Sequence, residues 1–137
     1  MLARMLLTLV TLGYSLIPVL ADFNKTHATN PLWTGHARYH VVWQVLSYVL
    51  VAAISLFLIW GPVDSNGSFG LKLAAALAFA IYGGFFGALF FMSLYDGRTY
   101  DDNGIQPIKA GVLSLDVNIT VFTAISLMLI ATVFLVA

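Results

Sequence analysis

Four long apolar stretches, separated by polar breaks, constrain this chain more than any other feature. Residues 2–20, 34–60, 71–95 and 115–136 each run for at least 19 positions. About 20 consecutive apolar residues suffice to cross the roughly 30 Å hydrocarbon core of a bilayer as a helix. A bilayer leaves helices and closed barrels as the only spanning structures, and these runs are too long for barrel strands. The expected fold class is therefore all-α, a membrane bundle of four transmembrane helices, with 1–137 as one domain. Composition disposes of a soluble bundle. The chain is 61% hydrophobic and 9% charged, with a mean hydropathy of +0.94, whereas soluble domains carry roughly 25% charged residues.

The first stretch opens with Arg4, runs apolar to Leu20 and ends Val19-Leu20-Ala21. A basic start, an apolar run and small residues imitate a secretory signal. The run also suffices to span, and a first helix is the preferred reading, with a cleaved leader as the alternative. Pro18 is expected to kink or close it.

Asn30-Pro31 marks a turn, and Thr34 suits the N-cap of the second helix. From 34 to 60 that helix would be about 40 Å long at 1.5 Å per residue. The surplus lies at its polar end, so His36 and His40 belong at headgroup depth. Gly61-Pro62 closes the helix, and Asp64 to Gly70 forms a short polar loop. The third helix, Leu71 to Tyr95, carries Ala80, Gly83, Gly84, Gly87 and Ala88. Small residues at this spacing let another helix approach closely, within the bundle or in an oligomer through Gly83, Gly84 and Gly87. Asp96 to Leu113 holds Asp-Gly, Asn-Gly and Pro107, turn formers that suit a structured loop or a short re-entrant piece. The last helix starts at Leu115 and carries Asp116, Asn118 and Thr120 near its opening.

Four spans put both long polar breaks on one side. The first holds all three histidines, His27, His36 and His40, and five of the six acids share that face. Arg4, Asp64 and Lys72 belong to the other. Orientation stays open, because the excess of Lys and Arg on the loop side opposes the signal-like start. Asn24-Lys25-Thr26 is a glycosylation sequon in a lumenal setting.

His36, His40 and Gln44 are four apart and rise along one helix face. Histidines at that spacing serve helix-borne metal sites, and with His27 they are the candidate ligands for a divalent metal. HARYH lacks the Glu that a zinc-protease motif requires. Acid–base work is the second reading. Histidine titrates near neutrality, and Asp116 or Asp96 at the water–lipid boundary would orient its ring. The third reading is structural, with the histidines bonded to headgroups and Asp116 stabilising a helix start. The catalytic candidates are thus His36, His40, His27, Asp116 and Asp96. Trp33, Arg38, Tyr39, Trp43, Gln44 and Asn118 are the candidate substrate contacts. The aromatic residues, together with Tyr95 and Tyr100, equally suit an interfacial belt, and Arg38 suits a lipid phosphate. With no cysteine, thiolate chemistry and disulfides are excluded. A net charge of zero without a basic stripe argues against nucleic acid.

The run Thr26-His27-x-x-Asn30-Pro31-x-Trp33-x-x-His36-Ala37-Arg38-Tyr39-His40 resembles the THxxNPxWxxHARxH signature of a family of small, largely uncharacterised four-helix membrane proteins. The resemblance implies four helices and a site at the first loop. Where that family carries proline before the first HARxH histidine, this chain has Thr34-Gly35, so a looser helix start is expected. The functional expectation is a small integral membrane enzyme acting on a lipid-soluble molecule. The alternative is an accessory subunit whose glycine-rich third helix docks a partner.

Overall fold

The computed structural model describes residues 1–63, 68–100 and 102–136, so Asp64 and Asp101 lie outside the described residues. Four helices account for most of them: α1 Leu2–Asp22, α2 Gly35–Trp60, α3 Ser68–Phe90 and α4 Val117–Val136. All four are long and apolar enough to cross a membrane. That architecture is compatible with a multi-pass membrane protein.

α1 and α3 occupy the centre of the bundle and each packs on all three other helices, while α2 and α4 hardly touch. The interior is built from small residues and hydroxyls. Gly13, Ala52, Ser55, Ala74, Ala75 and Ala78 are buried, whereas Leu50, Phe57, Leu127 and Phe134 are more than 60% exposed. This is the distribution that lipid favours, because tails are as apolar as leucine and helices gain most from close approach and hydrogen bonds. Two buried tyrosines supply such bonds. The Tyr14 hydroxyl donates to Ser55 Oγ at 3.0 Å, and the Tyr82 hydroxyl donates to the Val10 carbonyl at 2.9 Å. They tie α1 to α2 and to α3, and their rings meet edge to face at 6.0 Å.

α2 and α3 form a wedge. Near their connection a Cβ on Gly70 would collide with the Leu58 carbonyl oxygen, and Ala74, Ala75 and Ala78 are buried alongside Ile59, Ser55 and Ala52. Toward the other end they part, and no residue of α3 beyond Tyr82 is buried.

Three expected boundaries move. α1 continues through Pro18 to Asp22, so the proline does not close it. α3 starts at Ser68 and stops at Phe90, earlier at both ends than expected. Past it the winding tightens into a 3-10 turn, Met92–Tyr95, with Leu94 N–H donating to Phe91 O at 2.9 Å. Asp96 then takes a left-handed conformation at φ 52° and ends the turn. α4 starts two residues after Leu115, at Val117, because Leu113–Leu115 (β2) pairs antiparallel with Ile108–Ala110 (β1). Gly111, at φ +62°, opens the two-residue turn of this hairpin, a position that favours glycine. Asp116 caps α4, its Oδ1 accepting the Ile119 N–H at 2.9 Å. Thr34 caps α2 as expected, accepting the Ala37 N–H at 3.2 Å, so Thr34-Gly35 gives a capped start in place of a proline.

Both polar loops meet at one end of the bundle. Asn30, 1% exposed, is the joint. Its side chain donates to Thr26 O at 2.8 Å and accepts from Leu32 N–H at 3.0 Å. Its Oδ1 also accepts from Asn103 of the second loop at 3.2 Å.

Candidate functional site

Where α2 and α3 splay, a cavity of about 1030 Å³ opens at the loop end of the bundle. α2 contributes Ala37, His40, Val41, Gln44 and Tyr48, one helical face. Ile17, Pro18, Ala21 and Asp22 of α1 lie opposite, and Gly84, Phe85, Ala88 and Leu89 of α3 form a third wall. Asn118 and Phe122 of α4, Met92 and Tyr95 of the 3-10 turn, and His27, Trp33, Arg98 and Thr99 from the loops complete it. Within the bundle, the small residues of α3 around Gly84 do not receive a neighbouring helix. A Cβ at Gly83, Gly84 or Gly87 would meet nothing within 4 Å, so no helix of this chain packs there, and at Gly84 the missing side chain is cavity space.

The cavity is graded. Ile17, Val41, Phe85, Leu89 and Phe122 line its apolar part, and polar groups gather toward the loops. Above them a second pocket of about 150 Å³ lies between the loops and shares Ala21, Asp22, His27, Trp33, Arg98, Thr99 and Asn118 with the first. Those seven residues are the joint between the two spaces.

His27 is the best-organised titratable group at this joint. Its Nδ1 lies 3.4 Å from Asp22 Oδ1 and 2.7 Å from Thr26 Oγ1. Thr26 Oγ1 in turn reaches Asn24 Oδ1 at 2.7 Å. A proton on Nδ1 satisfies this chain of acceptors and leaves Nε2 as the ring's free base, the way a second partner sets a histidine tautomer. Trp33 meets the His27 ring edge to face at 5.2 Å. Asp22 is half-buried here, held by the turn that folds residues 23–30 back over the end of α1. Ala28 N–H donates to Asp22 O at 2.9 Å within that turn.

The other candidates distribute unevenly. His40 lines the cavity, but His36 lies at its rim without lining it; their Nε2 atoms are 3.0 Å apart. Gln44, Trp33 and Asn118 line the cavity, and Asn118 donates to Thr99 O at 3.0 Å. Arg38, Tyr39 and Trp43 do not. Tyr39 and Trp43 are 62% and 56% exposed and pack against each other on the outward face of α2, where a belt would sit. Neither Asp96 nor Asp116 lines the cavity; the first is exposed at the end of the 3-10 turn and the second is a helix cap. Among the described residues no three His or Asp side chains gather into a set able to hold a metal ion. The expected convergence of His27, His36 and His40 on one metal does not occur, because His27 turns to Asp22 while the other two pair on α2.

Sequence reasoning passed over Asp22, Arg98, Thr99 and Tyr48. Only Asp22 had a usable signal, an acid five residues before a histidine across a helix end. Compared with family models, curated proteins and solved structures, the chain finds no match.

Proposed function

We propose that this protein is a small integral membrane enzyme that holds a lipid-soluble molecule in the graded cavity and performs acid–base chemistry on its polar end. One observation carries the reading: a cavity of about 1030 Å³ whose polar rim bears a histidine already partnered by a carboxylate. Ligand sites are concave and mostly apolar, with a few convergent polar groups, and ionisable groups near the membrane are costly enough to suggest function. His27 is the general base or acid, and Asp22 and Thr26 orient its ring. His40, backed by His36, is the second proton-transfer group. Gln44, Asn118 and Trp33 position the substrate. Acid–base work is preferred to metal-assisted work because the three imidazoles divide between two places. The similarity to the THxxNPxWxxHARxH family fits this assignment. Within the run, His27 faces Asp22 and Thr26, Asn30 ties the loops, and Trp33 and His40 line the cavity.

The test is conversion of a lipid extract from the native host by protein in nanodiscs, followed by mass spectrometry. A product that appears with wild type and falls at least about a hundredfold with His27→Gln is expected, in line with the usual contribution of one acid–base group. Unchanged conversion by His27→Gln and Asp22→Asn variants would remove the assignment.

The accessory-subunit reading draws on Gly83 and Gly87, where an added Cβ would meet nothing within 4 Å among the described residues. Capture of a membrane partner that Gly83→Leu abolishes, with no turnover of any extract, would favour it.

A further inference from the structure

The wedge between α2 and α3, the charge balance at the joint and the two-part shape of the cavity bear together on what enters it. Resting on the cavity reading above, we infer that the ligand is a single-chain amphiphile with a carboxylate head, of the long-chain fatty acid class, which enters sideways from the adjacent leaflet between α2 and α3.

The shape argues for a chain. The lined face of α2 runs from Ala37 to Tyr48, about 16 Å at 1.5 Å per residue. Its apolar part, Val41 to Tyr48, spans about 10 Å, a third of a roughly 30 Å hydrocarbon core, and so lies within one leaflet. The α3 wall is open at the same level, where Gly84 lacks a side chain and no residue after Tyr82 is buried. A lipid chain can pass from the leaflet into such a cleft without leaving an apolar environment.

The head follows from charge and from donors. Asp22 and His27 face each other and balance when the ring is protonated. Arg98 lines both spaces and forms no ion pair among the described residues. Asp96 and Asp102 flank it in sequence and form no ion pair with it, so in the form of the site in which His27 is protonated one positive charge is left over at the joint. The Trp33 indole N–H, at the same joint, donates to no group among the described residues. A donor-rich site with one spare guanidinium fits a planar monoanion, since guanidinium and carboxylate pair through two parallel hydrogen bonds. The upper pocket, about 150 Å³, receives this compact head, and the apolar cavity receives the chain.

The test uses Trp33 as its reporter. In a Trp43→Phe/Trp60→Phe background, Trp33 is the sole tryptophan. That protein in nanodiscs is titrated with three amphiphiles of equal chain length, brominated near the head: a fatty acid, the matching alcohol and the matching alkyl phosphate. The acid is expected to quench Trp33 at concentrations at least about tenfold lower than either of the others. Arg98→Gln should remove that preference by weakening the acid about tenfold to a hundredfold, the usual worth of a charged hydrogen bond. Bromination at the chain end should quench less, because Trp33 lies at the joint where the head is held. Gly84→Leu should weaken all three ligands. Should the background variant misfold, displacement of radiolabelled fatty acid from wild type reads the same ranking. Equal quenching by acid and alcohol, or stronger quenching by the phosphate, overturns the carboxylate assignment and leaves the cavity reading intact. If no amphiphile binds and no extract is converted, both readings fall. Conversion of an extract without binding of any of the three overturns only the ligand class.

Discussion

The same substitution, glycine to alanine, should have opposite effects at two positions in this bundle. At Gly13 a Cβ would stand 2.7 Å from Ile125 Cδ1 and 2.8 Å from the Tyr82 hydroxyl. The isoleucine tip has rotamers to spare, but the tyrosine has little freedom. Its hydroxyl is bonded to Val10 O at 2.9 Å, and its ring is held against Tyr14 at 6.0 Å and Phe122 at 5.4 Å. Relief requires breaking the interhelical bond, worth about 0.6 and at most about 1.7 kcal/mol in a membrane. The alternative is to push α1 from α3, an overpacking cost of about 1–3 kcal/mol. Against this, alanine gains at most about 1 kcal/mol over glycine as a helix former, and less where the unfolded state stays helical in detergent. The balance at Gly13 is a loss of about 1–2 kcal/mol. At Gly84 nothing lies within 4 Å of the new Cβ, so only the helical gain remains, between zero and about 1 kcal/mol. Reversible unfolding in mixed micelles of rising SDS fraction, followed by tryptophan fluorescence, measures both. Equal shifts for Gly13→Ala and Gly84→Ala, or a stabilised Gly13→Ala, would refute the packing argument.

Asp116→Asn should leave stability within a few tenths of a kcal/mol, because asparagine caps as well as aspartate, whereas Asp116→Ala should lose about 1 kcal/mol. Unfolding curves of both variants check this, and the reverse order would restore Asp116 as something other than a cap. A double-mutant cycle on Tyr14→Phe and Ser55→Ala should give a coupling of about 0.6–1.7 kcal/mol; a coupling of zero would mean the 3.0 Å bond contributes nothing. Asn30→Ala should cost about 2 kcal/mol by stranding Leu32 N–H and freeing Asn103, with faster amide exchange across residues 26–33. Protection unchanged in that segment would show that Asn30 is not the joint.

The histidine pair was legible because spacing of four on a helix is a local property, and His36 and His40 pair as it requires. The N-cap at Thr34 was legible for the same reason. The lining of the cavity was not. α2 is apolar nearly all round, so nothing in its sequence says that Ala37, Val41 and Tyr48 turn inward while Tyr39 and Trp43 turn out. Asp116 or Asp96 was the expected carboxylate partner for a histidine, whereas the structure sets Asp22 beside His27, because the turn that returns residue 27 to Asp22 depends on bonds between residues that no periodicity reports.

Sequence by itself determined the number of helices, their apolar character and the gathering of the polar loops at one end. Length and hydropathy act through the solvent and need no knowledge of neighbours, and an even count of spans decides which loops share a side. Tertiary structure alone decided the rotation of each helix, the wedge between α2 and α3, and thereby the cavity and the Asp22–His27 pair at its rim. Those depend on which small residues meet. Gly70 lies tight against Leu58 while Gly84 meets nothing, and two glycines fourteen positions apart on one helix are indistinguishable until the partner helix is in place.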